Sequence, residues 1–135
     1  MDQVVHFHIP VNEMSRAKKF YTDIFGWEIK EIETHKNYLL VNTVATDEND
    51  IPVEPGAING ALYVRETPEE YPEITIEVSS IEDYLKKIEK SGGKVVTPKT
   101  PVGDFGFYAE VLDTEDNTIG LWEDKQCSDK ECVLN

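Results

Sequence analysis

The sequence has little positive charge and no long apolar run, and each shortage excludes a class of protein. Its 27 acidic residues outnumber 13 basic residues, so the formal net charge is −14. Because a phosphate backbone or an anionic membrane surface would repel such a chain, we expect no nucleic-acid partner and no membrane partner. No stretch reaches the roughly 18 apolar residues of a membrane helix, and no basic region followed by an apolar core opens the chain. A cytoplasmic location is therefore expected.

The sequence also has few cysteines and none of the common short catalytic motifs. Cys127 and Cys132 lie in the polar C-terminal stretch 125–135, where they cannot link the body of a fold. Their role stays open between an incidental pair, a local disulfide, a redox role and a weak metal site. A phosphate-binding loop, a dinucleotide fingerprint, a serine-nucleophile elbow and an HExxH zinc motif are all absent, so no common motif identifies a reaction.

What is present is a repeated order of predicted elements within one domain. The 135 residues leave no room for a second full-sized domain. Alternating apolar side chains predict a strand over 4–11, helical spacing of apolar side chains predicts a helix after it, and three extended segments follow. The same order then recurs. It predicts one module over about 4–65, a second over about 73–124 and a polar tail over 125–135.

The two modules also match residue by residue. Sliding the sequence by 67 positions places Ile9 on Ile76 and Gly26 on Gly93 without a gap. The paired glycines each follow a predicted helix of similar length, and this is the pattern of an internal duplication.

Several short segments together resemble one known superfamily. They are His6 in the strand HFHIPV, Phe20-Tyr21 leading into Phe25-Gly26-Trp27, the turn Gly92-Gly93-Lys94, and LDTEDNTIGLWE near the end. In order and spacing they resemble the vicinal oxygen chelate superfamily, which contains glyoxalase I, bleomycin-resistance proteins and extradiol dioxygenases. The resemblance covers residues 4–123. It implies an α+β fold of two tandem βαβββ modules whose eight strands form a cup, and it implies a homodimer.

The resemblance also implies where metal ligands would lie. Relatives place up to four ligands on the first and last strands of each module, and these positions fall on His6, Gly60, Glu73 and Gly120. Glycine has no donor side chain, so the familiar four-ligand centre cannot be assembled from these residues. Small residues at two of the positions leave space, and we expect an organic ligand in the volume that a metal takes in relatives.

The period of a strand gives an independent view of the same positions. Side chains two residues apart share a face, so His6 and His8 point into one space, as do Glu73, Thr75 and Glu77 on the strand that opens the second module. Buried polar groups must be paired, wet or bound to a ligand, which predicts a cavity. Three interpretations stay open: a metal held by His6, His8 and Glu73; a metal-free His6–Glu73 pair; and a structural or water-filled role.

The metal-free pair would have a chemical consequence. A carboxylate beside His6 would orient the imidazole and raise its pKa, which makes His6 and Glu73 the candidate catalytic residues. In the last strand, Trp122 shares the face of Gly120 and forms either an aromatic wall for a ligand or part of the core. Phe107 is a further candidate at the rim of the same opening.

These observations predict a binder of a small organic molecule in a metal-free cup, with or without a minor catalytic activity. The candidate ligand-binding residues are His8, Gly60, Thr75, Glu77, Phe107, Gly120 and Trp122. No cofactor is expected. One alternative is a divalent-metal-dependent lyase, isomerase or dioxygenase using His6 and Glu73, and another is a resistance protein that sequesters a cationic drug, which the negative charge would favour.

Overall fold

A computed structural model describes residues 1–32, 35–49 and 51–125 of the chain. Cys127 and Cys132 lie outside these residues. The elements of the first module are β1 (Val4–Val11), α1 (Met14–Phe25), β2 (Glu28–Ile32), β3 (His35–Asn42) and β4 (Asn59–Val64). Those of the second are β5 (Glu73–Glu77), α2 (Ile81–Lys90), β6 (Lys94–Val102), β7 (Gly106–Leu112) and β8 (Thr118–Asp124). The predicted α+β fold of two βαβββ modules is confirmed.

The chain divides into two compact units that follow the modules closely. The N-terminal unit is Val5–Ile74, and the C-terminal unit combines Met1–Val4 with the chain from Thr75 onward. In the N-terminal unit the strand order is β2-β3-β4-β1, with β1 and β4 parallel and the other pairs antiparallel. The C-terminal unit repeats this arrangement as β6-β7-β8-β5, with β5 and β8 parallel. That the chain is a single domain stays a prediction.

One face of each sheet is covered by the helix of its own unit. In the N-terminal unit the covered face holds the buried side chains Val11, Ile29, Leu39, Val41 and Leu62. In the C-terminal unit, Ile81 of α2 packs in one core with Val78, Ala109, Val111 and Leu121. Because successive strand residues alternate between faces, the residues between these core positions lie on the opposite face of each sheet. We call these opposite faces the N-terminal and the C-terminal polar face.

Each helix begins and ends at residues suited to those positions. The Glu13 side chain accepts hydrogen bonds from the backbone N–H groups of Ser15 and Arg16 at the start of α1, and Gly26, with φ of 70°, ends the helix in the left-handed conformation. At the start of α2 the Ser80 hydroxyl accepts from Asp83 N–H. These caps fix how each helix lies on its sheet. None of the helices in the described ranges is both long enough and apolar enough to cross a membrane.

Candidate functional site

The N-terminal polar face brings together the two histidines and four side chains from neighbouring strands. His6 lies opposite Asn59, and His8 lies opposite Ala61, across the β1–β4 pair. Tyr38 of β3 lies opposite Tyr63 of β4. Directly paired residues point to the same side of a sheet, so these side chains share the face that α1 does not cover. His6 and His8 therefore lie on one face, as their spacing in the sequence predicts.

Gly60 lies on the other face, and its prediction as a ligand-binding position is wrong. Its partner across the sheet is Phe7, a residue that packs against the core. A Cβ atom built on Gly60 would be 2.5 Å from the Phe7 ring and 2.5 Å from the Phe7 carbonyl oxygen. Gly60 thus makes room for Phe7 rather than for a ligand. The position opposite His8 belongs to Ala61, one residue along β4.

His8 lies between the Tyr38 hydroxyl, to which it is hydrogen-bonded, and the carboxyl group of Glu73. Its Nε2 is 3.1 Å from the Tyr38 hydroxyl, and its Nδ1 is 3.8 Å from Glu73 Oε2. The His8 side chain is 13% exposed and that of Glu73 is 8% exposed. The sequence predicts Glu73 beside His6, and the structure places a carboxyl oxygen of Glu73 near Nδ1 of His8. The His6 ring contacts the edge of the His8 ring, with 4.7 Å between centroids.

Burial determines the protonation states of His6, His8 and Tyr38. It lowers the pKa of His6, and burial together with the neighbouring His6 lowers the pKa of His8 to about 4. Burial also raises the pKa of Tyr38 to about 12. The predicted rise in the His6 pKa is therefore wrong. Both imidazoles are neutral at pH 7, and the Tyr38 hydroxyl keeps its proton.

The donor set does not fit the divalent metal that the family resemblance implies. Within residues 1–32, 35–49 and 51–125, no three His, Cys, Asp or Glu side chains are placed to hold one ion together. Ala61 and Gly120, which lie opposite His8 and Thr75 in the parallel strand pairs, have no donor side chains. His6, His8 and Glu73 are therefore not arranged as a coordination shell.

Asn59 is the residue of this face that the sequence did not reveal. Its Oδ1 accepts a 2.9 Å hydrogen bond from Thr43 N–H. Its Nδ2 is buried and has no hydrogen-bond partner in the described part of the chain. The sequence indicated this position only indirectly, because Asn59 directly precedes Gly60, a position that the family resemblance marked as a ligand site. It lies directly across the sheet from His6.

The C-terminal polar face carries four of the predicted residues. Thr75 lies opposite Gly120 and Glu77 lies opposite Trp122, so all four share a face as expected. Phe107 is opposite Glu123 and packs on the covered face, where the Lys99 ammonium lies 4.3 Å from the ring centroid. A place for Phe107 at a ligand opening is therefore wrong.

The space expected at Gly120 is filled by neighbouring side chains. A Cβ atom at Gly120 would be 2.7 Å from Thr75 Oγ1 and 2.9 Å from the Tyr108 hydroxyl oxygen. Tyr108, rather than Phe107, is the β7 aromatic on this face, opposite Trp122. The missing side chain of Gly120 thus accommodates Tyr108. The alternation of β7 was ambiguous in the sequence because its neighbouring glycines permit a shift of one residue.

An acidic pair lies at the edge of the same face. Glu77 and Asp124 border an open cavity of about 360 Å³ that is also lined by Asp2, Gln3 and Ser79. A hydrogen bond with Asp124, helped by burial and by the negative charge of Asp124, raises the pKa of Glu77 to about 7. The Trp122 Nε1–H donates a 2.6 Å hydrogen bond to Asp124. The Glu77 carboxyl group therefore keeps its proton up to near neutral pH.

Replacing Glu77 with Gln should remove one component of the pH dependence of stability. The pKa of Glu77 rises from 4.5 in the unfolded chain to about 7 in the folded protein. Its stabilising contribution is therefore present below pH 4.5 and lost as pH rises through 7. Because the pair is largely solvated, we expect Glu77→Gln to exceed the parent protein by only about 1 kcal/mol at pH 8 and to match it at pH 4.

Urea unfolding of both proteins from pH 4 to 8 measures this difference. The pKa of His8 is lowered from 6.5 to about 4, so its contribution is lost as pH falls. That opposite trend is common to both proteins and cancels in their difference. Glu89→Gln, a matched change on the exposed surface of α2, should give a flat difference curve. A flat curve for Glu77→Gln as well would show that the pKa of Glu77 is not raised in the folded protein.

Comparisons with known proteins agree with this fold. The family model described as "Glyoxalase/Bleomycin resistance protein/Dioxygenase superfamily" matches residues 3–121. A glyoxylase-like domain-containing protein of Didymella fabae is 28% identical over 123 residues, covering 88% of this chain and 91% of its own length. A Mycobacterium bovis protein with the provisional name glyoxylase CFP32 is 26% identical over 119 residues, covering 85% of this chain. The present chain spans only 43% of that mycobacterial protein.

A solved structure shows the same fold at lower sequence identity. It is a glyoxalase/bleomycin resistance protein/dioxygenase superfamily member from Vibrio splendidus 12B01, with a TM-score of 0.63 and 14% identity. The match covers 92% of this chain and 100% of that one. At this identity the likeness concerns the fold and not the reaction.

Proposed function

Because this chain belongs to the glyoxalase/bleomycin resistance protein/dioxygenase superfamily, we propose that it binds a small organic molecule on its N-terminal polar face without a resident metal. The observation that carries the proposal is the Asn59 amide, whose Nδ2 is buried and has no partner among the described residues. A buried donor without a hydrogen bond costs about 1 to 3 kcal/mol. A ligand that supplies an acceptor would recover that free energy.

The surroundings of Asn59 favour a neutral or weakly polar ligand surface. His6 lies across from Asn59, and burial lowers its pKa, so its ring offers an uncharged polar edge at pH 7. Farther along the face, the partly buried Leu40 supplies an apolar side chain, whereas Ala61 opposite it is fully buried. Sites for small organic molecules combine such apolar walls with a few directed polar groups. Charge on the ligand is not required at the Asn59 end.

The test uses a substitution that removes the donor and keeps the fold contact. Asn59→Asp retains an oxygen for Thr43 N–H but replaces the amide donor with an acceptor. In a thermal-shift screen of small carbonyl compounds, we expect hits on the parent protein whose affinity falls at least tenfold in Asn59→Asp, since an attraction becomes a repulsion.

Asn49→Asp is the matched control, because it makes the same change at an exposed turn position. It should leave the affinity unchanged. Equal affinity of the parent protein and Asn59→Asp for every hit would contradict the proposed site, and the absence of any hit would contradict the proposed function itself.

The metal-dependent alternative using His6 and Glu73 gains no support from the donor set and is not proposed. A minor catalytic activity, sequestration of a cationic drug, a homodimer and a cytoplasmic location stay predictions.

A further inference from the structure

We propose that a second copy of this chain binds to the outer side of α1, with the two α1 helices antiparallel across a two-fold axis. The contact surface is a stripe of four residues, Arg16, Phe20, Asp23 and Ile24, which we call the outer stripe. Their spacing of three and four residues places them on one side of the helix. The outer stripe lies apart from the N-terminal polar face, so this inference does not depend on the proposed function.

The outer stripe exposes large apolar side chains to water. Phe20 is 53% exposed and Ile24 is 63% exposed, and Phe25 at the end of the same helix is 57% exposed. The centroid of the Phe20 ring is 5.2 Å from that of Tyr21 and 6.2 Å from that of Phe25, so the rings form one cluster. At about 200 Å² for a large apolar side chain, the three exposed fractions amount to about 350 Å². Apolar patches of this size on a protein surface are often functional.

A groove beside the outer stripe offers further contact surface. It has a volume of about 320 Å³, and its apolar lining includes Ile9, Pro10, Ala17 and Phe20. A standard interface buries about 800 Å² on each partner, so the exposed aromatic cluster supplies nearly half of that area as an apolar centre. Because Phe20 borders the groove, a two-fold axis near Phe20 brings the ring of each copy to the groove of the other.

The duplicated helix α2 shows the same side of a helix as an ordinary solvated surface. At each position equivalent to the outer stripe, α2 has either the opposite charge or a polar residue in place of an apolar one. The offset of 67 residues equates Arg16 with Asp83, Phe20 with Lys87, Asp23 with Lys90 and Ile24 with Ser91. All four residues of α2 are exposed. The two modules therefore differ at this surface in the direction expected if α1 contacts a partner and α2 contacts water.

The charges of the outer stripe lie at the unfavourable ends of their own helix. Arg16 is in the first turn of α1 and Asp23 is in the last. A helix dipole disfavours a cation near the N-terminus and an anion near the C-terminus. α2 has the favourable arrangement, with Asp83 in its first turn and Lys90 in its last. In an antiparallel pair of α1 helices, each of these charges lies beside the opposite end of the other helix, where the dipole favours it.

The spacing of the two charges fits such a pair. Arg16 and Asp23 are seven residues apart, which is about two helical turns, so they lie on the same side of α1. A two-fold axis midway between them places Arg16 of each copy beside Asp23 of the partner subunit and leaves Phe20 next to the axis. Asp23 is half-exposed beside Lys19, so its carboxylate can pair with a second cation. The outer stripe is thus complementary to itself, as a two-fold contact between identical copies requires.

The overall charge argues against a membrane as the occupant of the outer stripe. Exposed phenylalanine beside basic residues is also found in helices that lie on anionic membranes. Asp23 within the stripe and a formal net charge of −14 would repel such a surface. A second copy meets the same apolar cluster with matched charges.

Analytical ultracentrifugation of the 135-residue chain tests the apolar centre. We expect a dimer with a dissociation constant in the micromolar range or below. Phe20→Lys, which introduces the residue of α2, should raise that constant at least tenfold, because exposed aromatic side chains dominate the binding energy of such contacts. Phe105→Lys is the matched control, since Phe105 is 78% exposed in the C-terminal unit, and it should leave the constant unchanged. Circular dichroism checks that each variant is folded.

A charge exchange tests the antiparallel arrangement. Arg16→Asp and Asp23→Lys should each raise the dissociation constant at least about fivefold, because each puts like charges together on both sides of the axis. Each change also suits the helix dipole of the single chain better, so a less stable helix would not explain a weaker dimer. The double variant restores both ion pairs with their polarity reversed and should return to within about threefold of the parent constant.

Four results would overturn the inference. The parent protein could stay monomeric far above micromolar concentration, or form a dimer that Phe20→Lys leaves unchanged, which would place the contact elsewhere. A double charge variant no tighter than the single variants would contradict the antiparallel pair. A monomer that binds phosphatidylglycerol vesicles, and loses that binding in Phe20→Lys, would assign the outer stripe to a membrane. Weaker dimers in the three single variants, with recovery in the double variant, would support it.

Discussion

Replacing Gly60 with Ala should lower the free energy of unfolding by about 2 to 3 kcal/mol, the cost of forcing an extra methyl group into a packed core. The new Cβ would be 2.5 Å from both the Phe7 ring and the Phe7 carbonyl oxygen. The ring could turn, but the carbonyl belongs to the paired strand β1, so the strands themselves would have to separate. Urea unfolding measures the loss.

A second substitution identifies which contact is responsible. Phe7→Leu removes the ring but leaves the carbonyl oxygen. In the Phe7→Leu background, Gly60→Ala should therefore lower the free energy of unfolding by less than it does in the parent protein, but not by zero. A change of less than about 0.5 kcal/mol in Gly60→Ala would be the size of an ordinary surface substitution. That result would mean that Gly60 faces the polar side, and the assignment of the N-terminal polar face would fail with it.

Replacing Glu123 with Ala should cost about 3 kcal/mol, because it leaves the buried Ile81 N–H without its acceptor and removes one of the two carboxylates beside Lys99. Glu123 is 5% exposed, and its carboxylate accepts a 2.7 Å hydrogen bond from Ile81 N–H at the first residue of α2. Its other oxygen is 3.3 Å from the Lys99 ammonium. A negative charge at a helix N-terminus is also favourable through the helix dipole. Removing the side chain thus affects both the start of α2 and Lys99.

Glu123→Gln is the informative control, since it keeps an oxygen for Ile81 N–H and removes only the charge. We expect it to cost about 1 kcal/mol, roughly the loss of one charge-assisted hydrogen bond. Amide hydrogen exchange of the first turn of α2 should accelerate in Glu123→Ala and stay near the parent rate in Glu123→Gln. Equal losses for the two variants would assign the stabilisation to the ion pair with Lys99 rather than to the helix start.

Much of the fold was predictable because it depends on local patterns. The alternation in β1 and the helical spacing of α1 are properties of short segments, and burial of one face requires them. Because the sequence is internally duplicated, the same order of strands and helix could be predicted for the second module. His6 and His8 also share a face as predicted, since a strand offers no other arrangement for residues two apart.

The candidate site was less predictable because it depends on pairing between strands. Gly60 and Ala61 are both small, and nothing within β4 states which of them faces His8. Phe107 and Tyr108 present the same ambiguity in β7. A shift of one residue exchanges the two faces of a strand. Gly60 and Phe107 were therefore expected on the polar faces, whereas they lie on the faces that the helices cover.

The sequence by itself determined the two βαβββ modules and the shared face of His6 and His8. These properties follow from residue type and from periodicity within single segments. Only the tertiary structure decided that a carboxyl oxygen of Glu73 lies near Nδ1 of His8, that Tyr108 fills the space at Gly120, and that Asn59 is left with a buried donor. Those facts depend on which residues face each other across hydrogen-bonded strands, and cross-strand register is set by the packing of the whole unit.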